Sequence, residues 1–195
     1  VKFESAVSQN EVAYAKLVSK NKEGKPEIIT LKSEVIRIRG DYAELQVFED
    51  TTGLKAGDEV EFTGELLSVE LGPGLLTQVF DGLQNPLPKL AEECGFFLQR
   101  GKYLKALPRD KKWAFTPVAK AGDVVVAGDT LGTVPEGVFT HRIMVPFKAL
   151  GKWTVESVVA AGEHVVEDVV AVLKNDKGEK IDVKMVQTWP VKMPI

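Results

Sequence analysis

Ile36-Arg37-Ile38-Arg39-Gly40-Asp41-Tyr42-Ala43-Glu44-Leu45-Gln46-Val47 alternates apolar and polar residues on both sides of Gly40-Asp41. A period of two is the mark of a strand with one buried face. Gly40 opens a two-residue connection of the kind that closes hairpins, because glycine tolerates positive φ. The stretch therefore predicts two antiparallel strands with Ile36 and Ile38 on one face. A third alternating run, Glu59-Val60-Glu61-Phe62, follows the turn-rich Ala56-Gly57-Asp58. Short antiparallel strands at this spacing predict a small closed barrel at the front of the chain.

Between residues 69 and 95 the character changes. Gly72-Pro73-Gly74 reads as a chain reversal, after which Leu75, Leu76, Val79 and Phe80 are spaced for one face of a short helix. Leu87, Leu90, Ala91 and Cys94 repeat the helical spacing, and Gly95 supplies a C-terminal stop. Two short helices are expected here, both packed on something.

From Phe96 onward the pattern is β-rich and contains a near-repeat. Ala121-Gly122-Asp123, then Val125 and Val126, then Asp129 and Leu131, is echoed by Ala161-Gly162-Glu163, then Val165 and Val166, then Asp168 and Val170. An offset of about 40 residues is too short for two independent domains and suits two halves sharing one core. A compact barrel or sandwich of interlocked halves is the economical solution.

Composition restricts the functions. With 25 Lys and Arg against 28 Asp and Glu the net charge is -3, signs are mixed along the chain, and no polyanion-binding surface is indicated, so nucleic acid is not an expected partner. The single cysteine, Cys94, cannot form an internal disulfide, which fits a reducing compartment and makes the cytoplasm the expectation. No apolar run reaches the roughly 18 to 20 residues that cross a bilayer as a helix, and no basic-then-apolar leader opens the sequence. Membrane association is expected only through partners. The start on Val1 and the end on Met193-Pro194-Ile195 both look cut.

One long stretch carries a family resemblance. Glu49-Asp50-Thr51-Thr52-Gly53-Leu54, Thr63-Gly64-Glu65, Leu67-Ser68-Val69-Glu70-Leu71-Gly72-Pro73-Gly74-Leu75-Leu76, Phe80-Asp81-Gly82 and Gln84 stand in this order between Glu49 and Leu87. They resemble, in identity and order, the N-terminal region of the catalytic A (alpha) subunits of V/A-type rotary ATPases and ATP synthases. Further pieces of the pattern are Arg109-Asp110-Lys111-Lys112-Trp113 before Phe115-Thr116-Pro117, Gly128-Asp129 before Leu131-Gly132, His141 before Ile143-Met144-Val145-Pro146, and Trp189-Pro190-Val191.

The resemblance implies a mainly β chain: an N-terminal antiparallel β-barrel at 1–66 with its first strand missing and two open edges, a connector with short helices at 67–95, a β-rich, barrel-sandwich-like bulge domain at 96–184, and a segment at 185–195 leading to a nucleotide-binding domain. For the whole subunit it implies ATP and Mg²⁺ as cofactors and ATP turnover coupled to H⁺ or Na⁺ transport. It also implies B subunits and neighbouring A subunits as partners in a hexameric ring, with peripheral-stalk subunits meeting the bulge. This places the chain in the cytoplasm, peripheral to the membrane.

The chemistry itself is not expected in this chain. ATP hydrolysis in this family requires G-x-x-x-x-G-K-[ST], whose amides and lysine surround the phosphates while a hydroxyl holds Mg²⁺. No such loop occurs: Gly101-Lys102 is followed by tyrosine and Gly151-Lys152 by tryptophan. Gly72-Pro73-Gly74 could be a phosphate nest, but proline removes an amide and a tight turn is the simpler reading. His141 and His164 have no metal-ligand spacing; His141 is read as a structural polar residue and His164 as exposed. Trp113, Trp153 and Trp189 are read as core residues, with an interface role as the alternative; Pro108 to Lys112 reads equally as a docking surface or a solvated turn, and its place in the family pattern favours a packing or interface role. No residue is assigned to catalysis, a cofactor or a metal.

Two other functions remain open. One is a free-standing β-rich adaptor. The other is a biotinyl- or lipoyl-like carrier, whose two-halved β layout presents a lysine on a hairpin; at the join taken to correspond, Pro135 to Arg142, there is no Met-Lys-Met and no lysine.

Overall fold

The structure, a computed structural model, describes residues 1–20 and 24–194. Residues 21–23, inside the expected barrel, and Ile195, at the end of the expected return segment, lie outside the described residues. The chain divides into two compact units, one of residues 1–68, 88–104 and 190–194, the other of residues 69–87 and 105–189.

In the first unit β1 (Glu11–Lys20), β2 (Pro26–Arg39), β3 (Tyr42–Val47) and β4 (Val60–Leu66) form an antiparallel sheet in the order β3-β2-β1-β4. Gly40 lies at φ 59° in the β2–β3 turn, as the sequence requires. On β3 the alternation holds, with Ala43 buried between exposed Tyr42 and Glu44. On β2 it fails at one point. The register slips between Val35 and Arg37, which turns Ile36 outward to 39% exposure and leaves Ile38 half-buried. A bulge inserts one residue and flips the face presented by the rest of the strand.

The sheet's apolar side gathers Ala13, Ala15, Leu17, Leu31, Val35 and Ala43. Buried Glu11 is satisfied by the amides of Ser8 (2.8 Å) and Gly64 (2.5 Å). Residues 1–3 lie along the outer edge of β3, where the Val1 ammonium donates to Ala43 O (2.7 Å) and the Ala43 amide returns a bond to Val1 O (2.8 Å). Phe3 meets Phe62 of β4 edge to face at 6.2 Å. A cleft of about 580 Å³ remains, lined by Val1, Ala15, Ala43, Leu45, Leu54 and Val60 among others.

β5 (Ser68–Leu71) follows, and then the 72–86 loop. A helix over Leu75 to Phe80 was expected and is absent: Gly74 (φ 111°) and Thr77 (φ 65°) are left-handed, and the Gly74 and Leu76 amides are drawn to a side chain elsewhere. The second helix forms as α1 (Leu87–Cys94), closed by Gly95 at φ 69° with its amide on Ala91 O (2.9 Å).

The second unit holds β6 (Lys112–Pro117), β7 (Val124–Val125), β8 (Thr130–Glu136), β9 (Phe139–Met144), β10 (Trp153–Val158), β11 (Gly162–Val165), β12 (Val169–Lys174), β13 (Lys180–Lys184) and most of β14 (Gln187–Pro190). Its two four-stranded sheets run β11-β6-β8-β9 and β7-β10-β12-β13, and β14 pairs with β5. The near-repeat is thereby explained. β6-β8-β9 corresponds to β10-β12-β13, and each half sends its second strand, β7 or β11, to the first strand of the other. Neither half can close its sheet alone.

Equivalent positions agree in detail. Val126-Ala127-Gly128-Asp129 and Val165-Val166-Glu167-Asp168 close their turns with the same two bonds: the aspartate Oδ2 accepts from the valine amide (2.8 and 2.9 Å) and the aspartate amide donates to the valine carbonyl (3.0 and 3.1 Å). β8 slips register between Thr130 and Gly132, and β12 between Val169 and Ala171. Leu131, Val145, Trp153, Leu173 and Val183 belong to one core cluster, and their counterparts Val170, Met185, Trp113, Val134 and Ile143 to a second.

The topology also corrects the position of the join. Residues 135–142 form the β8–β9 hairpin inside the first half; the halves are joined by 145–152, which contains Lys148 and Lys152. Lys148 is exposed in a turn closed by the Ala149 amide on Pro146 O (2.8 Å), flanked by Phe147 and Ala149 where the carrier pattern has methionines.

Candidate functional site

The loop that carries Val69-Glu70-Leu71-Gly72-Pro73-Gly74-Leu75-Leu76 is held to the rest of the second unit at both ends of its turn. At the first, the Glu70 carboxylate accepts from the Leu107 amide (3.2 Å) and is paired with Arg109 Nη2, while Arg109 Nε reaches Glu167 Oε1 (2.8 Å). Lys105 Nζ adds to Glu167 at 3.1 Å. That hydrogen bond and charge, with Arg109 and Lys184 nearby, hold the Glu167 carboxyl below the usual carboxylate range. The Glu70 backbone is clasped by Gln84, whose Oε1 accepts from Glu70 N and whose Nε2 donates to Glu70 O, both at 2.7 Å.

At the second end lies Glu136, 6% exposed at the end of β8. Its Oε1 accepts from the amides of Gly74 (2.6 Å) and Leu76 (3.2 Å), and its Oε2 stands 2.9 Å from His141 Nδ1. The Gly-Pro-Gly turn thus does present amides to an anion, and the anion is this chain's own carboxylate. A phosphate would have to displace it. The close fit depends on glycine: a Cβ at Gly72 would stand 2.8 Å from Met185 O, and one at Gly74 3.2 Å from Pro108 and 3.4 Å from Trp113.

The clamped loop presents an apolar surface. Leu75 turns inward onto the core cluster of Leu107, Trp113 and Phe115. Leu76 (42%) and Val79 (62%) are exposed, so the expected four-residue face is reduced to these two. Beside the loop a cleft of about 260 Å³ is lined by Glu70, Arg109, Phe147, Asp182, Lys184 and Trp189, among others. Its opposed charges do not form a phosphate cradle.

The remaining residues singled out in the sequence have structural partners. His164 is half-buried, not exposed: it meets the Phe115 ring edge-on at 6.1 Å, with Nδ1 3.5 Å from Asp168. Trp113 and Trp153 are core residues, whereas Trp189 is half-buried against Phe147 with ring centroids 5.6 Å apart. Gly101 of the Gly101-Lys102 pair is a left-handed turn whose amide donates to Glu49 (2.7 Å). Among the described residues there is no group of three His, Cys, Asp or Glu placed to hold a metal, and no helix long and apolar enough to cross a membrane. Glu136 carries no signal in the sequence because its partners Gly74 and Leu76 are 62 and 60 residues away.

Residues 1–64 match the β-barrel domain of the ATP synthase alpha/beta family, and residues 104–192 match the alpha/beta subunit barrel-sandwich domain. The chain belongs to the ATP synthase alpha/beta family. Within that family it is 56% identical over all 195 residues to the V-type ATP synthase alpha chain of Treponema denticola. It is 50% identical over the same length to that of Borreliella burgdorferi, and 51% identical over 189 residues to that of Borrelia hermsii. The chain spans about a third of the length of these relatives, 32% of the first two and 31% of the third.

Proposed function

We propose that this chain is the non-catalytic N-terminal portion of the alpha, or A, chain of a V-type ATP synthase. In this reading residues 1–66 are the barrel, 67–95 the connector, 96–184 the bulge, and 185–195 lead back to a nucleotide-binding domain. ATP and Mg²⁺ are bound by that domain, which couples ATP hydrolysis or synthesis to H⁺ or Na⁺ transport through other subunits. This portion serves assembly. The barrel contributes to a ring with B subunits and neighbouring A subunits, the bulge meets the peripheral stalk, and the complex lies on the cytoplasmic side of the membrane.

The observation that carries the proposal is the match of both domains, in order and at 56% identity across the whole chain, to alpha chains about three times as long. The 72–79 loop supports it locally. A turn fixed by glycine packing and a buried carboxylate, yet showing Leu76 and Val79 to solvent, suits a surface that the remainder of the polypeptide covers.

The test is a chimera in which this chain replaces the matching third of the Treponema alpha chain. It should co-purify with the other ring subunits and hydrolyse ATP. A chimera that folds but does not assemble would overturn the proposal.

A further inference from the structure

We propose that Glu136 is a latch on the 72–79 loop, a positioning residue that keeps Leu76 and Val79 in one place and whose release frees the loop while the sandwich stays folded. The functional importance of those two side chains rests on the docking role proposed for the loop; the latch itself rests on the geometry.

Three observations lead to it. The carboxylate is the point at which the β8–β9 hairpin grips the loop: Oε1 takes the Gly74 and Leu76 amides together, and Oε2 is fixed by His141 from the facing strand. The loop it grips carries strain. Thr77 sits at φ 65°, a conformation that a β-branched residue enters at a cost, so the loop is maintained by what holds it. Its interior has no regular hydrogen-bond ladder: Gln78 N reaches Leu75 O only at 3.4 Å, and the next backbone bond is at the loop's end, where the Leu87 amide donates to Val79 O at 3.0 Å. Of the two clusters of buried residues in the sandwich, the second meets the loop, at Leu75 and at the close-packed Gly72 and Gly74. Residues 76–79 are exposed beyond those contacts, and local opening below the global unfolding free energy is the expected behaviour of such a segment.

Amide hydrogen exchange by NMR on the 195-residue chain reads this directly. In Glu136→Ala the Gly74 and Leu76 amides should exchange on the order of tenfold faster or more, since hydrogen bonds to a buried charge are lost. Glu136→Gln keeps one acceptor oxygen and should fall between Ala and the parent, as should His141→Ala. Leu131 and Val145, in the other cluster, should keep their rates within about twofold. Unchanged rates at Gly74 and Leu76 would overturn the latch, as would an equal acceleration at all four positions, which would make Glu136 a residue of the fold. If Glu136→Ala does not fold, the Gln and His141 variants decide the comparison. The docking role fails separately: Leu76→Asp leaving the chimera's assembly intact would remove it and leave the latch standing.

Discussion

Trp113 and Trp153 occupy the same position in the two interlocked halves of the sandwich. Each begins the alternation of the first strand of its half, and each faces the strand exchanged from the other, Trp113 opposite His164 and Trp153 opposite Val125. Both are buried, at 5% and 6% exposure. They differ in one bond. Trp153 Nε1 donates to Leu150 O (3.1 Å), whereas Trp113 Nε1 has no partner among the described residues and its ring lies under Lys111 Nζ at 4.0 Å. A buried donor left unpaired is unfavourable, so removing it relieves part of the lost packing. Trp153→Phe should cost about 1 kcal/mol more than Trp113→Phe, read from urea unfolding midpoints. An equal or larger loss at Trp113 would contradict this.

The same equivalence sets Phe115 against Val155 and Gly132 against Ala171. The exchange of size is compensatory: a Cβ at Gly132 would lie 2.3 Å from the Phe115 ring, so the half with the larger strand residue carries glycine. Gly132→Ala should destabilise by about 1 to 3 kcal/mol through overpacking. Adding Phe115→Val reproduces the pair of the other half, and the double variant should be more stable than the sum of the single losses implies. Additivity in thermal unfolding would show that the two halves are not equivalent here.

The corrected placement of Leu75 changes which loop substitutions matter. Leu75→Asp puts a charge against Leu107, Trp113 and Phe115 and should cost about 2 kcal/mol or more, whereas Leu76→Asp and Val79→Asp should stay within about 0.5 kcal/mol in the 195-residue chain. Denaturant titration of the three variants checks this ordering.

Alkaline stability of the first unit should depend on Tyr103. Burial, followed by the hydrogen bond it donates to Glu49, raises its pKa well above the ordinary value, and Tyr14 beside it is raised by burial too. A raised folded-state pKa means that the contribution is complete below the unfolded value, about 10, and is lost as pH rises towards the folded value. Tyr103→Phe should lose about 1 kcal/mol at neutral pH and show a shallower decline above about pH 10. Thermal melts from pH 7 to 11 measure both, and parallel declines would contradict the assignment.

How much was legible in the sequence depends on the range of the interactions. Gly40 and the alternation of β3, the helix ending at Gly95, and the near-repeat at Asp129 and Asp168 are set by neighbours within a few residues, and each is found. Leu75 to Phe80 has helical spacing, but Thr77 takes a left-handed conformation and Glu136 captures the amides from 60 or more residues away. Periodicity could not show that. The bulge at Ile36 depends on pairing with β3, and the join at 145–152 appears only when β7 and β11 are seen to exchange sheets. The absence of a phosphate loop was legible in the sequence, but the occupant of the Gly-Pro-Gly amides was not.

We propose that this chain supplies assembly surfaces and no nucleotide chemistry. Calorimetric titration of the 195-residue chain with MgATP tests it most directly. No saturable heat is expected up to about 1 mM, a free energy weaker than about -4 kcal/mol. Micromolar binding would contradict it, and would require a phosphate site that displaces Glu136 or lies elsewhere in the chain.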